Sequence, residues 1–409
     1  MTKACYVGVA GKARKVKKIY VGVANKARKV KKAYVGVGGK ARPFFSAEQK
    51  LSYYGTVTPL SVSRYDLAAT FVGDYALFGG GYDTSETLST VDAYTSFLVH
   101  STPAPLSRGR FFLAATSSED YALFGGGNLF RNSKFIYFST VDAYNRSLVH
   151  STPTPLSQPR GSLAATVVGG YMLFGGGYGD IYFNTVDAYT TSLARSTITP
   201  LGVSKSSVAA TTVGTYALFG GGYNSSYRSS VDAYSASLVR STPTSLNEAR
   251  GKFAATAVGD YALFGGGYGF GYFSTVDAYN RSLVHSTPTP LSQPRESLAA
   301  TVVGGYMLFG GGDTGSAFST VDAYTTSLVR STPTSLSKAR FELAATTIGN
   351  YGLFGGGNSS STVDAYTVDG GGSQPSKPSN PDPDPDPDGP EDLKPKPKPG
   401  GSWPDKTPP

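Results

Sequence analysis

Few side chains in this 409-residue chain could do chemistry, and their spacing keeps them apart. The three histidines, His100, His150 and His285, occupy one position in three copies of a repeated unit, and Arg195, Arg240 and Arg330 stand there in others. A metal centre needs ligands that converge within bonding distance, which equivalent positions of successive repeats cannot do. The single cysteine, Cys5, forms no internal disulfide and leaves the redox compartment open. A Val-Asp-Ala-Tyr tetrad supplies seven acids, Asp92, Asp142, Asp187, Asp232, Asp277, Asp322 and Asp364. An acid present in every unit is more simply a turn or backbone hydrogen-bonding group than a general acid. Gly-Gly-Gly runs follow strand-like segments, but no helix pattern follows them, and a phosphate loop needs that helix N-terminus. The glycines are expected to supply positive φ and close approach instead. No catalytic residue, metal ligand or cofactor site is therefore assigned.

The elements that hold these residues form a repeat. The glycine triplet begins at Gly79, Gly125, Gly175, Gly220, Gly265, Gly310 and Gly355, with spacings of 46, 50, 45, 45, 45 and 45. Each unit carries four strand-like segments, typified by LAATVVG, YALFGGG, STVDAY and SLVHSTPTPL, separated by glycine-rich or polar breaks. Four strands per period of about 45 predict a β-propeller. YALF is apolar throughout, as a strand packed on both faces should be. The Ala-Ala pair suits the crowded inner strand, and the Pro-bearing fourth segment suits an outer edge.

The seventh unit stops after Tyr366 without a fourth segment, and residues 51–60, LSYYGTVTPL, match the missing one. The expected fold is all-β: a seven-bladed propeller over 46–369, closed by its own N-terminal strand, which removes the open edges of a linear array.

The glycine-terminated second strand, the tyrosine-bearing third strand and the arginine before the first resemble the kelch repeat over about 320 residues. The likeness departs where kelch units carry a fourth-strand Trp, because the only Trp here is Trp403. A copper oxidase of that class would need a Cys–Tyr pair inside the ring, and Cys5 lies outside it. A sialidase-like propeller would need Asp-box turns, which the sequence lacks.

Residues 1–45 hold thirteen of the 37 basic residues and no acid, so the formal charge of +9 belongs to this segment and not to the ring. They comprise three 14-residue repeats, KACYVGVAGKARKV, KKIYVGVANKARKV and KKAYVGVGGKARPF, read as short hairpins too small to fold alone. These repeats resemble those near the start of phage and prophage structural proteins. That likeness implies attachment to a virion or other protein partner, with polyanion or nucleic-acid binding as the alternative. Residues 370–409, with Pro at alternate positions, are expected to be a flexible tail. No apolar run approaches the roughly 18 residues of a membrane helix, so no membrane insertion is expected. No apolar leader core follows Met1, so no signal peptide is expected.

The units differ most in the loop after the glycines. In an antiparallel blade this loop emerges on the same face as the connection to the next blade, so the variable loops gather there. They supply the candidate ligand-binding residues Tyr82, Phe130, Tyr137, Tyr178, Tyr182, Tyr223, Tyr227, Tyr268, Phe270 and Tyr272, with Phe135 beside them and with Arg131, Asp180 and Arg228 as polar contacts. Flat amphipathic rings suit sugars and proteins alike; the other reading is rings that seal the face by packing on one another. The same face carries Arg64, Arg110, Arg160, Lys205, Arg250, Arg295 and Arg340. Their regularity predicts structural bonds to neighbouring blades; an anion-attracting rim is the alternative.

These readings point to a non-enzymatic binding module of a phage or prophage particle, whose propeller face meets a host-surface glycan or protein. It would be made in the cytoplasm and act on the virion or cell exterior. An intracellular kelch scaffold in the cytoplasm is the second reading, and a propeller hydrolase the third.

Overall fold

The computed structural model describes residues 50–368 with their side chains and, before them, the backbone of six short strands between Tyr6 and Ser46. These six pair as three antiparallel hairpins, Tyr6–Val9 with Lys12–Lys15, Ile19–Val23 with Lys26–Val30, and Lys32–Val37 with Lys40–Ser46. The expected tail, 370–409, lies outside the described residues.

From residue 50 the chain forms seven four-stranded antiparallel sheets arranged as a seven-bladed β-propeller, with no helix among the described residues. Blade one shows the pattern: Ala68–Val72 innermost, then Tyr75–Gly79, Val91–Thr95 and the short outer His100–Ser101. Blade seven takes Ala344–Ile348, Tyr351–Gly355 and Val363–Val368 from the end of the ring and its fourth strand, Leu51–Val57, from the beginning. The expected closure is thus present. Val363 pairs with Val57 and Val368 with Leu51, across a register shift at Ala365/Tyr366.

Neighbouring blades bury each other's faces. In the second strand of blade one Ala76, Leu77 and Phe78 are all buried. The innermost strand alternates in burial. Ala68, Thr70 and Val72 are buried, but Ala69 is half-buried and Phe71 is exposed, because side chains that alternate on this strand cannot all find a neighbouring blade. The core divides into seven clusters, each drawn from two adjacent blades; one joins Phe78 and Tyr94 of blade one to Leu353 and Val363 of blade seven.

The glycine triplet explains the tight fit. A Cβ added to Gly79 would stand 2.8 Å from Cε1 of Phe124 in the next blade, and one added to Gly355 would stand 2.7 Å from Phe78, closing the series. Gly80 follows at φ +70°, a conformation that costs glycine little. Each third-strand tyrosine adds a tie: Tyr94 Oη donates to Thr58 O at 2.8 Å, from blade one to the end of blade seven's outer strand.

Candidate functional site

The loops after the glycines and the segments that enter each blade pair with one another on one face. Tyr82 bridges Tyr65, Tyr178 bridges Gly161, Tyr223 bridges Ser206, and Tyr268 bridges Gly251. Both kinds of segment therefore do gather on one face, as the antiparallel order requires.

A series of backbone bonds runs from blade to blade on this face. Asp66, Phe112, Ser162, Ser207, Lys252, Ser297 and Glu342 each lie two residues after the repeated cation and each has φ between 51° and 55°. Six N–H···O=C bonds of 2.8–3.2 Å join these residues from blade to blade, among them Asp66 N to Glu342 O and Phe112 N to Asp66 O. Their side chains differ in charge and size, so a rigid frame carries a variable set of groups.

The acids of this frame lie on one side. Burial and the neighbouring Glu342 push the Asp66 carboxyl well above the ordinary carboxylate range. Burial likewise raises Glu342 and Glu296, with Lys252 pulling the other way in both. Burial works against the charge on Lys252, but Glu296 at 3.4 Å, with Glu342 and Tyr227, outweighs it and holds the ammonium above its usual value. Asp313 adds a further negative charge felt by Glu296 and Glu342. The sequence reading missed this sector, although the same signal marks it: these positions vary between units that are otherwise nearly alike.

Blades one to five carry the aromatic residues, and here the rings meet one another. Tyr65–Tyr82, Tyr82–Phe111, Phe111–Phe135, Phe135–Tyr137, Tyr137–Tyr178, Tyr178–Tyr182, Tyr182–Tyr223, Tyr223–Tyr227, Tyr227–Tyr268 and Tyr268–Tyr272 form a continuous arc, with centroids 4.8–6.4 Å apart and mostly tilted or edge-on. Tyr82, Tyr137, Tyr178, Tyr182, Tyr223, Tyr227 and Tyr268 are all half-buried within it. The arc stops at blade six, where Asp313 and Ala317 replace the tyrosines.

Several apolar side chains of this face are exposed, including Phe135 and Tyr272 of the arc itself. Phe270 is 96% exposed and Ile181 63%, and Phe130, Phe135, Ile136 and Tyr272 are exposed as well. Asp180 and Arg131 are exposed, whereas Arg228 is half-buried and its Nη2 donates to Asn224 O at 3.3 Å within its own loop.

The repeated cations are not a rim open to solvent. Arg64, Arg110, Arg160, Lys205, Arg250, Arg295 and Arg340 are all fully buried. Each pairs with the Val-Asp-Ala-Tyr acid of its own blade, not of a neighbour: Arg64 with Asp92, Arg110 with Asp142 and Arg250 with Asp277 at 2.5 Å, Arg160 with Asp187 and Arg295 with Asp322 at 2.8 Å, Lys205 with Asp232 at 3.2 Å, and Arg340 with Asp364. The link to the preceding blade runs through the backbone, as where Arg64 O accepts from Gly357 N at 2.8 Å. A buried guanidinium needs a counter-charge, and the nearest is the acid two strands away.

The other oxygen of each acid turns outward. Asp92 Oδ1 accepts from Ser61 N at 2.8 Å and meets His100 Nε2 at 2.6 Å. His150 and His285 meet Asp142 and Asp277 in the same way, and Arg195, Arg240 and Arg330 do so in their blades. The acids are thus backbone acceptors, as expected, and also the hubs of buried ion pairs. Among the described residues no three of His, Cys, Asp and Glu are grouped to hold a metal ion.

No protein-family model matches the chain, and a search of curated proteins finds no match. Among solved structures, one titled "Structure of YjhT" is similar over 63% of this chain and 96% of that one, with a TM-score of 0.50 and 12% identity. At that identity the likeness concerns the fold alone, which is the propeller described above.

Proposed function

We propose that the chain is a non-enzymatic binding module whose loop face meets a host-surface glycan or protein while its basic N-terminal repeats hold it to a phage or prophage particle. One observation carries the display geometry. Strand Val363–Val368 begins at the loop face and runs away from it, and Leu51 pairs with Val368 at the far end. The ring's first and last strands therefore meet the rest of the chain on the face opposite the variable loops. The exposed Phe270 and Ile181 give the loop face apolar contact area. The virion assignment rests on the resemblance of the basic repeats, and the choice of face agrees with the resemblance to kelch propellers.

The test uses the full chain on a glycan array and in a host-cell adsorption assay. Wild type binds, and the double substitution Ile181→Ala/Phe270→Ala lowers binding at least tenfold at unchanged melting temperature. Equal binding by the two proteins would remove the loop face from the account.

A further inference from the structure

Blade two alone replaces the short loop after its glycines with a projecting ribbon. Asn128–Arg131 pairs antiparallel with Lys134–Tyr137 around Asn132 and Ser133, both at positive φ, as a two-residue hairpin turn requires. At its base the first strand is held by a bridge between Asn128 and Phe111. The second strand has no such neighbour: the ribbon is a two-stranded sheet of its own. In the observed register Arg131–Lys134 and Leu129–Ile136 are the hydrogen-bonded pairs, so the N–H and C=O groups of Phe135 and Tyr137 point outward. Among the described residues these outward groups have no backbone partner.

A free edge of this kind is a template for another strand, and natural proteins usually blunt it with charge, proline or a covering loop. Here the edge strand carries charge only at the tip, on Lys134, and its next two side chains are apolar: Phe135 is 50% exposed and Ile136, on the opposite side of the ribbon, 45%. An added strand would find an apolar side chain for each of its own two faces. The charges are arranged along the edge. Arg131 and Lys134 stand exposed at the tip. Asp180, exposed in the next blade's loop, lies close enough to the base to act on Tyr137, whose phenol is raised by burial and then by Tyr178, 5.7 Å away between ring centroids, and Asp180.

We propose that an extended polypeptide strand of the binding partner adds antiparallel to the Lys134–Tyr137 edge. This deepens, and rests on, the reading of the loop face as the ligand surface, and it commits that face to a peptide ligand. The added strand runs from base to tip, so its early residue is basic, opposite Asp180, and its late residue acidic, opposite Arg131 and Lys134. Apolar residues alternate between them. Main-chain bonds supply the affinity and the charges set the direction.

The experiment selects a random seven-residue peptide library on the immobilised full chain and uses the recovered peptide as the probe. The expected sequence is basic, alternating apolar, then acidic. N-methylation of every second backbone nitrogen lowers affinity at least tenfold, while methylation of the intervening ones leaves it unchanged. Phe135→Pro, which removes the edge N–H, lowers affinity tenfold or more; Phe135→Ala, which keeps it, costs less. Replacing residues 128–138 by the six-residue loop YGDIYF of blade three abolishes binding at unchanged melting temperature. An N-methyl profile without period two, or full affinity after the loop replacement, overturns the proposal. So does a concentration-dependent dimer that Phe135→Pro abolishes, since the edge is then filled by a second copy. If the library yields no binder while the glycan array is positive, strand addition fails and the loop-face reading stands. If neither binds and host cells do not adsorb the chain, both fail.

Discussion

The phenol of Tyr53 donates a 2.6 Å hydrogen bond to Oδ1 of Asp364, joining the first strand of the ring to the last. In other blades that oxygen meets His or Arg from the blade's own outer strand. The N-terminal strand therefore brings its own partner for the buried acid as well as backbone pairing and the packing of Leu51 and Tyr53 on blade seven. Without it, Val363–Val368 becomes an open edge and Asp364 keeps Arg340 and the Ser337 N–H but loses the Tyr53 phenol.

Deleting residues 46–60 should accordingly open blade seven. The expected result is a large fall in melting temperature or aggregation, whereas deletion of 370–409 leaves thermal unfolding unchanged. Calorimetry on both truncations checks this, and an unaltered transition after loss of 46–60 would refute closure by this strand.

That closure was legible in the sequence because two incomplete segments, one at each end of a regular array, complete one unit. The ion pairs were half legible. Period and residue type marked Arg64 and Asp92, but no repeat pattern reveals that an arginine before the first strand reaches the third strand of its own blade. The aromatic arc was the least legible part. Tyr178 and Tyr182 could be seen to share a face with Tyr223, but whether rings on adjacent loops touch depends on how closely successive blades approach. The acids at Asp66 and Glu342 were less legible, because the two positions after each repeated cation vary between units but the repeat does not show that the second of them forms one bonded frame.

The glycine that starts each triplet is a packing requirement. A Cβ on Gly125 would stand 2.6 Å from Cε1 of Phe174. Gly125→Ala should destabilise the ring by about 1–3 kcal/mol, as overpacked cores do. Phe174→Leu in the same chain should cost less than the two single changes added together, since the smaller side chain makes room for the methyl group. Chemical denaturation of the single and double variants measures the coupling, and simple additivity would argue against the contact as the cause.

Breaking one of the buried pairs should be costly, and removing both partners much less so. Arg250 and Asp277 are both fully buried at 2.5 Å. Arg250→Met alone leaves an unbalanced carboxylate and should cost about 3–5 kcal/mol. Arg250→Met with Asp277→Leu should recover part of that loss, because no charge then remains to be buried. Urea unfolding of the three proteins gives the comparison.

Alkaline pH should unfold the ring in a cooperative step. Burial and then the charge of the adjacent acid raise the phenols of Tyr94, Tyr144, Tyr189, Tyr234, Tyr279, Tyr324 and Tyr366 above the ordinary value of 10.0. Burial and the bond to Asp364 push Tyr53 up to about 12. Below pH 10 both folded and unfolded chains hold these protons, so the stabilisation is fully present. Above it the unfolded chain releases them first, and stability falls as pH rises. The phenolate absorbance of these buried tyrosines should appear together with the loss of the β-sheet circular dichroism signal. Complete titration of all tyrosines in a chain that stays folded would contradict the burial of these phenols.

Two kinds of aromatic residue on the loop face should respond differently to truncation. Tyr178 and Tyr182 lie in the ring-on-ring arc, 4.8 Å apart and each half-buried. Replacing both by Ala removes contacts to Tyr137 and Tyr223 as well, and aromatic pairs of this kind contribute about 0.5–1.5 kcal/mol each beyond their burial. Stability should therefore fall by several kcal/mol, and any loss of binding will include loss of the wall. Phe270 touches no ring of the arc and is 96% exposed, so Phe270→Ala should change stability by no more than about 0.5 kcal/mol. If the face binds a ligand through its projecting groups, the same substitution can cost about 2 kcal/mol of affinity, the size of an interface hot spot. The ratio of binding loss to stability loss thus separates a contact residue from a packing residue within one surface. Thermal unfolding and host-cell adsorption on the same preparations supply both numbers. Full adsorption by the Phe270 variant, with lost adsorption only where stability also falls, would mean that the arc seals the face and that the ligand sits elsewhere.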